Sequence, residues 1–157
     1  MRLVLILAAL WAGAPMAALA EGLRVQDAFA LISPAGQSGA AFMRLENAGP
    51  EDDRLVAVTA DIARRVELHT HTETTDGVMR MIAVEEGFAL PAGSEHRLER
   101  GGDHVMFLGL RRVPAEGEDI PLTLIFESGA EITLDIPVRA PMAAGGHGHD
   151  HGNHGHD

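Results

Sequence analysis

The stretch RVELHTHTETTDGVMRMIAV, residues 65–84, decides how this chain is read. In its first half Val66 and Leu68 fall on one face, and Arg65, Glu67, His69 and His71 on the other. A two-residue period of this kind marks a β-strand with one buried face. Thr74-Thr75-Asp76-Gly77 follows as a hairpin turn, because Asp-Gly readily takes the positive φ such turns need. The chain returns through Val78 to Val84, with Met79, Met81 and Ala83 on one face and Arg80 and Ile82 on the other. The unit is a hairpin with histidines on one arm and methionines on the other.

Outward from it, the same grammar of short strands and turn signals continues. Val25 to Leu31 alternates weakly and is broken by Ser33-Pro34-Ala35-Gly36. Ala41 to Glu46 ends at Asn47-Ala48-Gly49-Pro50, and Arg54 to Val58 is another short apolar run. Phe88 to Leu90 stops at Pro91, and His104 to Leu110 is strongly apolar after Gly101-Gly102. Ile120 to Phe126 and Ala130 to Val138 make a terminal hairpin around Ser128-Gly129. Ala60 to Arg65 offers a single helical turn at most, and no segment holds a helical period over a dozen residues. Close-spaced short strands with Gly and Pro punctuation predict an all-β sandwich or barrel. Met43 reads as a core filler and His96 as a surface residue near a turn.

The two ends differ from this middle. Arg2, the apolar run Leu3 to Trp11 and Ala18-Leu19-Ala20 have the charge, greasy centre and small-residue cleavage site of an export signal over residues 1–20. A β-domain is expected over 21–139, and residues 140–157 as a linker and tail. The tail holds His147, His149, His151, His154 and His156 among Gly, Asp and Asn, a low-complexity composition expected to be disordered.

Composition narrows function. The formal net charge is −11, and all twelve basic residues are arginine. An acidic chain repels nucleic acid and anionic lipid and attracts cations, so no nucleic-acid partner and no stable membrane insertion after signal cleavage are expected. Cysteine is absent, which removes disulfides, thiolate catalysis and thiolate metal sites together. No nucleophile–base pairing supports hydrolysis, so the chain is not read as an enzyme.

Between His69 and Met106, histidine and methionine recur in pairs one residue apart: His69 and His71, Met79 and Met81, His104 and Met106. On a strand that spacing points both side chains of a pair to one face. Imidazole with thioether suits Cu(I), a soft ion. Thioether needs no deprotonation and forms no disulfide, which fits an oxidising compartment. His104 and Met106 would supply two ligands from one strand, His69 and one methionine of the hairpin the others. The tail, rich in imidazole with aspartate oxygen, suits Cu(II), and Zn(II) or Ni(II) as well.

DRLVAV (53–58), VELHTH (66–71), DGVMRM (76–81), LPAG (90–93), GGDHVMFLGL (101–110) and LTLIFESG (122–129) together resemble the PCuAC family of periplasmic copper chaperones. The resemblance spans about Ala41 to Val138. The family motif is a histidine, often followed by methionine, then ten residues, a methionine, about twenty-one residues and His-x-Met. Mapped here, it implies His69, Met81, His104 and Met106 as Cu(I) ligands, with His71 and Met79 as spare or transient ones. Thr70 stands where methionine is common, and twenty-two residues separate Met81 from His104, with the extra residue near Glu85-Glu86-Gly87. The resemblance further implies a cupredoxin-like Greek-key β-barrel and delivery of Cu(I) to the copper centre of cytochrome c oxidase. Electron transfer of the cupredoxin kind needs a cysteine thiolate and is excluded.

Three roles compete: a periplasmic chaperone that donates Cu(I), a copper or zinc buffer without a dedicated acceptor, and a β-sandwich interaction module whose tail alone binds metal.

Overall fold

The computed structural model describes residues 22–33 and 35–140. The export signal and the five tail histidines lie outside the described residues.

The described chain is all β: β1 (Leu23–Ile32), β2 (Ser38–Asn47), β3 (Asp53–Thr59), β4 (Ala63–Glu73), β5 (Met79–Ala83), β6 (Phe88–Leu90), β7 (Glu95–Leu98), β8 (His104–Leu110), β9 (Asp119–Phe126) and β10 (Glu131–Arg139). The central strands arise where apolar residues alternate. On β8, Val105 and Phe107 are wholly buried, and on β9 Ile120, Leu122, Leu124 and Phe126 point inward in turn. Asp-Gly at 76–77 closes the β4–β5 hairpin as expected, with Gly77 at φ +74° and Thr74 N–H donating to the Val78 carbonyl.

The strands lie in the order β5-β4-β8-β2-β1-β10-β9-β3-β6, with β7 added to β2. The first and last strands, β1 and β10, pair in parallel, and every other pairing is antiparallel. Because β2 and β3 sit on different halves of this path, as do β3 and β4, the connections cross between halves in Greek-key fashion. The halves fold on each other. Met43, Leu68, Val105 and Phe107 from one and Leu55, Leu122, Leu124 and Ile136 from the other share a single buried cluster. The fold is the expected cupredoxin-like β-barrel, and Met43 is a core residue, 3% exposed.

Three local readings are refined. β7 went unread because only Leu98 of its four residues is buried, so it carries no apolar alternation. His96 belongs to that strand rather than to a turn. Its ring stacks on Phe88 with centroids 5.1 Å apart, and its Nε2 lies 2.9 Å from Asp103 Oδ2, which ties β7 to the start of β8. The segment before Arg65 makes an ordinary turn and enters β4 at Ala63, with no helical turn. Residues 84–87 form the turn between β5 and β6, where Gly87 is required: at φ +74°, a Cβ would stand 2.0 Å from the Leu55 carbonyl oxygen.

Candidate metal centre

β5, β4, β8 and β2 are consecutive strands, so one face of this wall can gather side chains from four segments distant in sequence. The opposite parity of Val105, Phe107 and Leu68 already faces the core. His104 and Met106 on β8, His69 and His71 on β4 and Met81 on β5 therefore all lie on the outer face.

Register fixes their neighbours. His69 is the Cα partner of His104 across β4–β8, and Glu67 is the partner of Met106. Across β4–β5, His71 is the partner of Met81, His69 of Ala83 and Glu73 of Met79. Met81 is thus directly opposite His71 and diagonal to His69, about 7–8 Å between Cα atoms, a span long side chains cross. Met79 sits one row further out, is 56% exposed, and is the most remote of the six.

The three imidazoles converge. The His104 ring centroid is 5.9 Å from that of His69 and 5.2 Å from that of His71. His71, Met81, His104 and Met106 line one cavity of about 350 Å³, walled on its apolar side by Leu31, Ile32 and Phe42. His69 is outside that lining, its ring edge-on to that of His104. Exposure grades across the site: His104 is 2% exposed, while Met81 on the edge strand is 43% exposed.

Hydrogen bonds select the nitrogens. His104 Nδ1–H donates to the Gly102 carbonyl at 2.9 Å, and His71 Nδ1 approaches the same oxygen at 3.3 Å. Their Nε2 lone pairs are left free. At His69 the pattern is reversed: Nε2 lies 2.9 Å from Glu67 Oε2, while Nδ1 is buried without a partner among the described residues. A buried polar atom left bare costs about 1–3 kcal/mol, so its persistence here fits a group reserved for a ligand. Neither Glu67 nor Gly102 was singled out from sequence. The Glu-x-His spacing at 67–69 is the one signal for the first, and nothing in the sequence marks the second.

Burial pushes the His104 imidazole below the ordinary histidine range; nearby His71 and His69 add to the shift, while the Gly102 carbonyl and Asp103 oppose it. A neutral imidazole is the metal-binding form. The sign for stability follows, since below the ordinary histidine value of about 6.5 the unfolded chain binds a proton that folded His104 resists. Its contribution to metal-free stability is full above that value and is lost as pH falls through the folded value. Thermal unfolding of metal-free protein should show a Tm that falls on acidification from neutral pH to about pH 5. His104→Gln should flatten that dependence, and an equal slope in the variant would show that other groups dominate it.

The donor set fits a soft cation. Among the described residues no three His, Asp or Glu side chains are grouped to hold a metal ion by themselves, so a site here needs the methionines as well. Glu67, the nearest carboxylate, is held by Arg65 at 3.1 Å and by His69. Two thioethers and imidazole nitrogen remain, the combination Cu(I) accepts.

The model of the LpqE-like family matches residues 23–138. The chain belongs to that family. This LpqE-like chain is 33% identical over 120 residues to a protein named as a lipoprotein, Lxx21020, of Leifsonia xyli subsp. xyli, a match covering 76% of the chain and 71% of the relative. Its fold matches the copper-bound PCuAC domain from PmoF2 with a TM-score of 0.63 at 23% identity, over 76% of this chain and 94% of that one. The solution structure of CuI-DR1885 from Deinococcus radiodurans matches at 29% identity and a TM-score of 0.58, over 80% and 85% of the two chains. The LpqE-like domain therefore has the PCuAC fold that its motifs suggested.

Proposed function

We propose that this LpqE-like protein is a periplasmic copper chaperone, carrying Cu(I) on its outer wall and passing it to the copper centre of cytochrome c oxidase. The convergence of His69, His71, His104, Met81 and Met106 on one face carries the reading, and a 29% identical neighbour solved with Cu(I) supports it. His69, Met81, His104 and Met106 hold the ion. His71, opposite Met81 in the cavity wall, is the transient ligand that meets copper on entry, and Met79 is a distant reserve. Exposed Met81 gives a partner's ligand a route to the metal without opening the core. The protein carries its cargo and does no chemistry on it.

Residues 1–20 serve as a cleaved export signal. Residues 21–139 are the copper domain, and residues 140–157 its linker and Cu(II)-capturing tail. Support for the tail's role comes from β10, which ends at Arg139 as the Cα partner of Leu31, a residue of the cavity wall. β10 therefore ends at the margin of the cavity.

Deleting residues 147–157 should abolish tight Cu(II) binding and leave one Cu(I) per chain in an anaerobic titration against a chelator. No stoichiometric Cu(I) in the truncated protein would leave metal binding to the tail alone and sink the domain site. Mixing the loaded protein with the metal-free copper domain of the oxidase separates chaperone from buffer. Transfer should be complete within mixing time, whereas a buffer retains its copper.

A further inference from the structure

We infer that His69 takes copper through Nδ1, and that Glu67 is the positioning residue that fixes the ring in that state. The inference rests on the copper reading above and adds a division of labour among the histidines.

His69 and His104 are Cα partners on adjacent strands, yet their hydrogen bonds engage opposite nitrogens. At His104 the anchored atom is Nδ1, held by the Gly102 carbonyl, which directs Nε2 outward to a ligand. At His69 the anchored atom is Nε2, 2.9 Å from Glu67 Oε2. A carboxylate only accepts, so in the neutral ring the proton sits on Nε2 and the lone pair on Nδ1. That Nδ1 is buried and unpartnered among the described residues. The carboxylate is itself held, because Arg65 Nη1 lies 3.1 Å from its other oxygen, Oε1. Guanidinium, carboxylate and imidazole thus run in series along one face of β4, at residues two apart, toward a nitrogen with no other use.

The arrangement has two chemical consequences. A carboxylate behind an imidazole fixes the tautomer and raises the basicity of the ligating nitrogen. It also withholds Glu67 from the metal, since both oxygens are engaged. The one carboxylate register-paired with Met106 is in this way kept out of the ligand set. A hard cation finds no free Glu67 oxygen there, while a soft one finds nitrogen and sulfur.

Long-range ¹H–¹⁵N spectra of the full-length protein report each ring nitrogen separately, so tail histidines do not obscure the result. In metal-free protein His69 should show a protonated Nε2 and a bare Nδ1, with the opposite assignment at His104. One equivalent of Cu(I) should move His69 Nδ1 and leave its Nε2 proton in place. Glu67→Ala should mix the tautomers and lower Cu(I) affinity about 10- to 100-fold. Glu67→Gln, whose amide oxygen accepts the same N–H, should restore both tautomer and affinity. Cu(I) on His69 Nε2, or an unmoved His69 beside shifted His71 and His104, would overturn the inference and leave the copper site standing. An E67Q loss as large as that of E67A would overturn it too, by making charge rather than tautomer the cause. If no ring nitrogen of residues 69, 71 and 104 moves, the copper reading itself fails and the inference with it.

Discussion

Changing Met81 and Met106 together to leucine should lower Cu(I) affinity by more than about 100-fold. Loss of an outer hydrogen-bond partner alone costs a metal site about 10- to 100-fold, and here two donor atoms go. Leucine nearly conserves the methionine volume, and both positions lie on the outer wall away from the core cluster, so the fold should persist. X-ray absorption on the Cu(I)-loaded protein lacking residues 147–157 should show mixed sulfur and nitrogen scattering, and the double variant should lose the sulfur. Sulfur surviving in the variant would move the ligand role to Met79. Nitrogen-only coordination in the parent would contradict the thioether site altogether.

Phe107→Ala should produce the largest loss of stability of any change discussed. Phe107 is fully buried on β8, the Cα partner of Gly39 on one side and Val66 on the other. Packing there is tight: a Cβ on Gly39 would come within 3.3 Å of the Phe107 ring. Truncation of a buried phenylalanine costs about 3–5 kcal/mol. For a domain of this size that lowers Tm by roughly 12–20 °C, measurable by calorimetry on metal-free protein. Because residues 104 and 106 point the other way from the same strand, Cu(I) affinity measured well below that Tm should change by only a few-fold. A large joint loss of stability and affinity would mean that the two faces of β8 are coupled more tightly than their alternation implies.

Much of this arrangement was legible in residues 65–84. Alternation separated the apolar face of β4 from its histidine face, and Asp-Gly placed the turn, so a hairpin with histidine facing methionine followed directly. What alternation does not state is which histidine meets which methionine. That depends on the hairpin closing between Thr74 and Val78, which sets His71 opposite Met81. A family motif that pairs His69 with Met81 says nothing of this register. The near-complete burial of His104 was equally hidden, since it comes from Phe42 on the neighbouring strand β2, far away in sequence, the rings of His69 and His71, and the Gly102 loop. Glu67 and His69 share a face by spacing, but their mutual orientation is a matter of rotamers, on which sequence is silent. β7 escaped because a short, polar strand joins its sheet by backbone pairing rather than by apolar pattern.

The outer-wall location of the candidate ligands bears on whether the fold depends on metal. Among the described residues no candidate ligand belongs to the hydrophobic cluster. A zinc finger waits for its ion before it folds. A barrel whose candidate ligands lie outside its core needs no ion to bury its apolar residues. Bound copper would then add stability by mass action, as any ligand of the folded state does. The chain in its proposed chaperone role then requires no metal during export, because the ion is not needed to bury the core. Its ligand row is also free to diverge, since exchanging one side chain for another on that wall retunes which ion is held and leaves the architecture beneath intact.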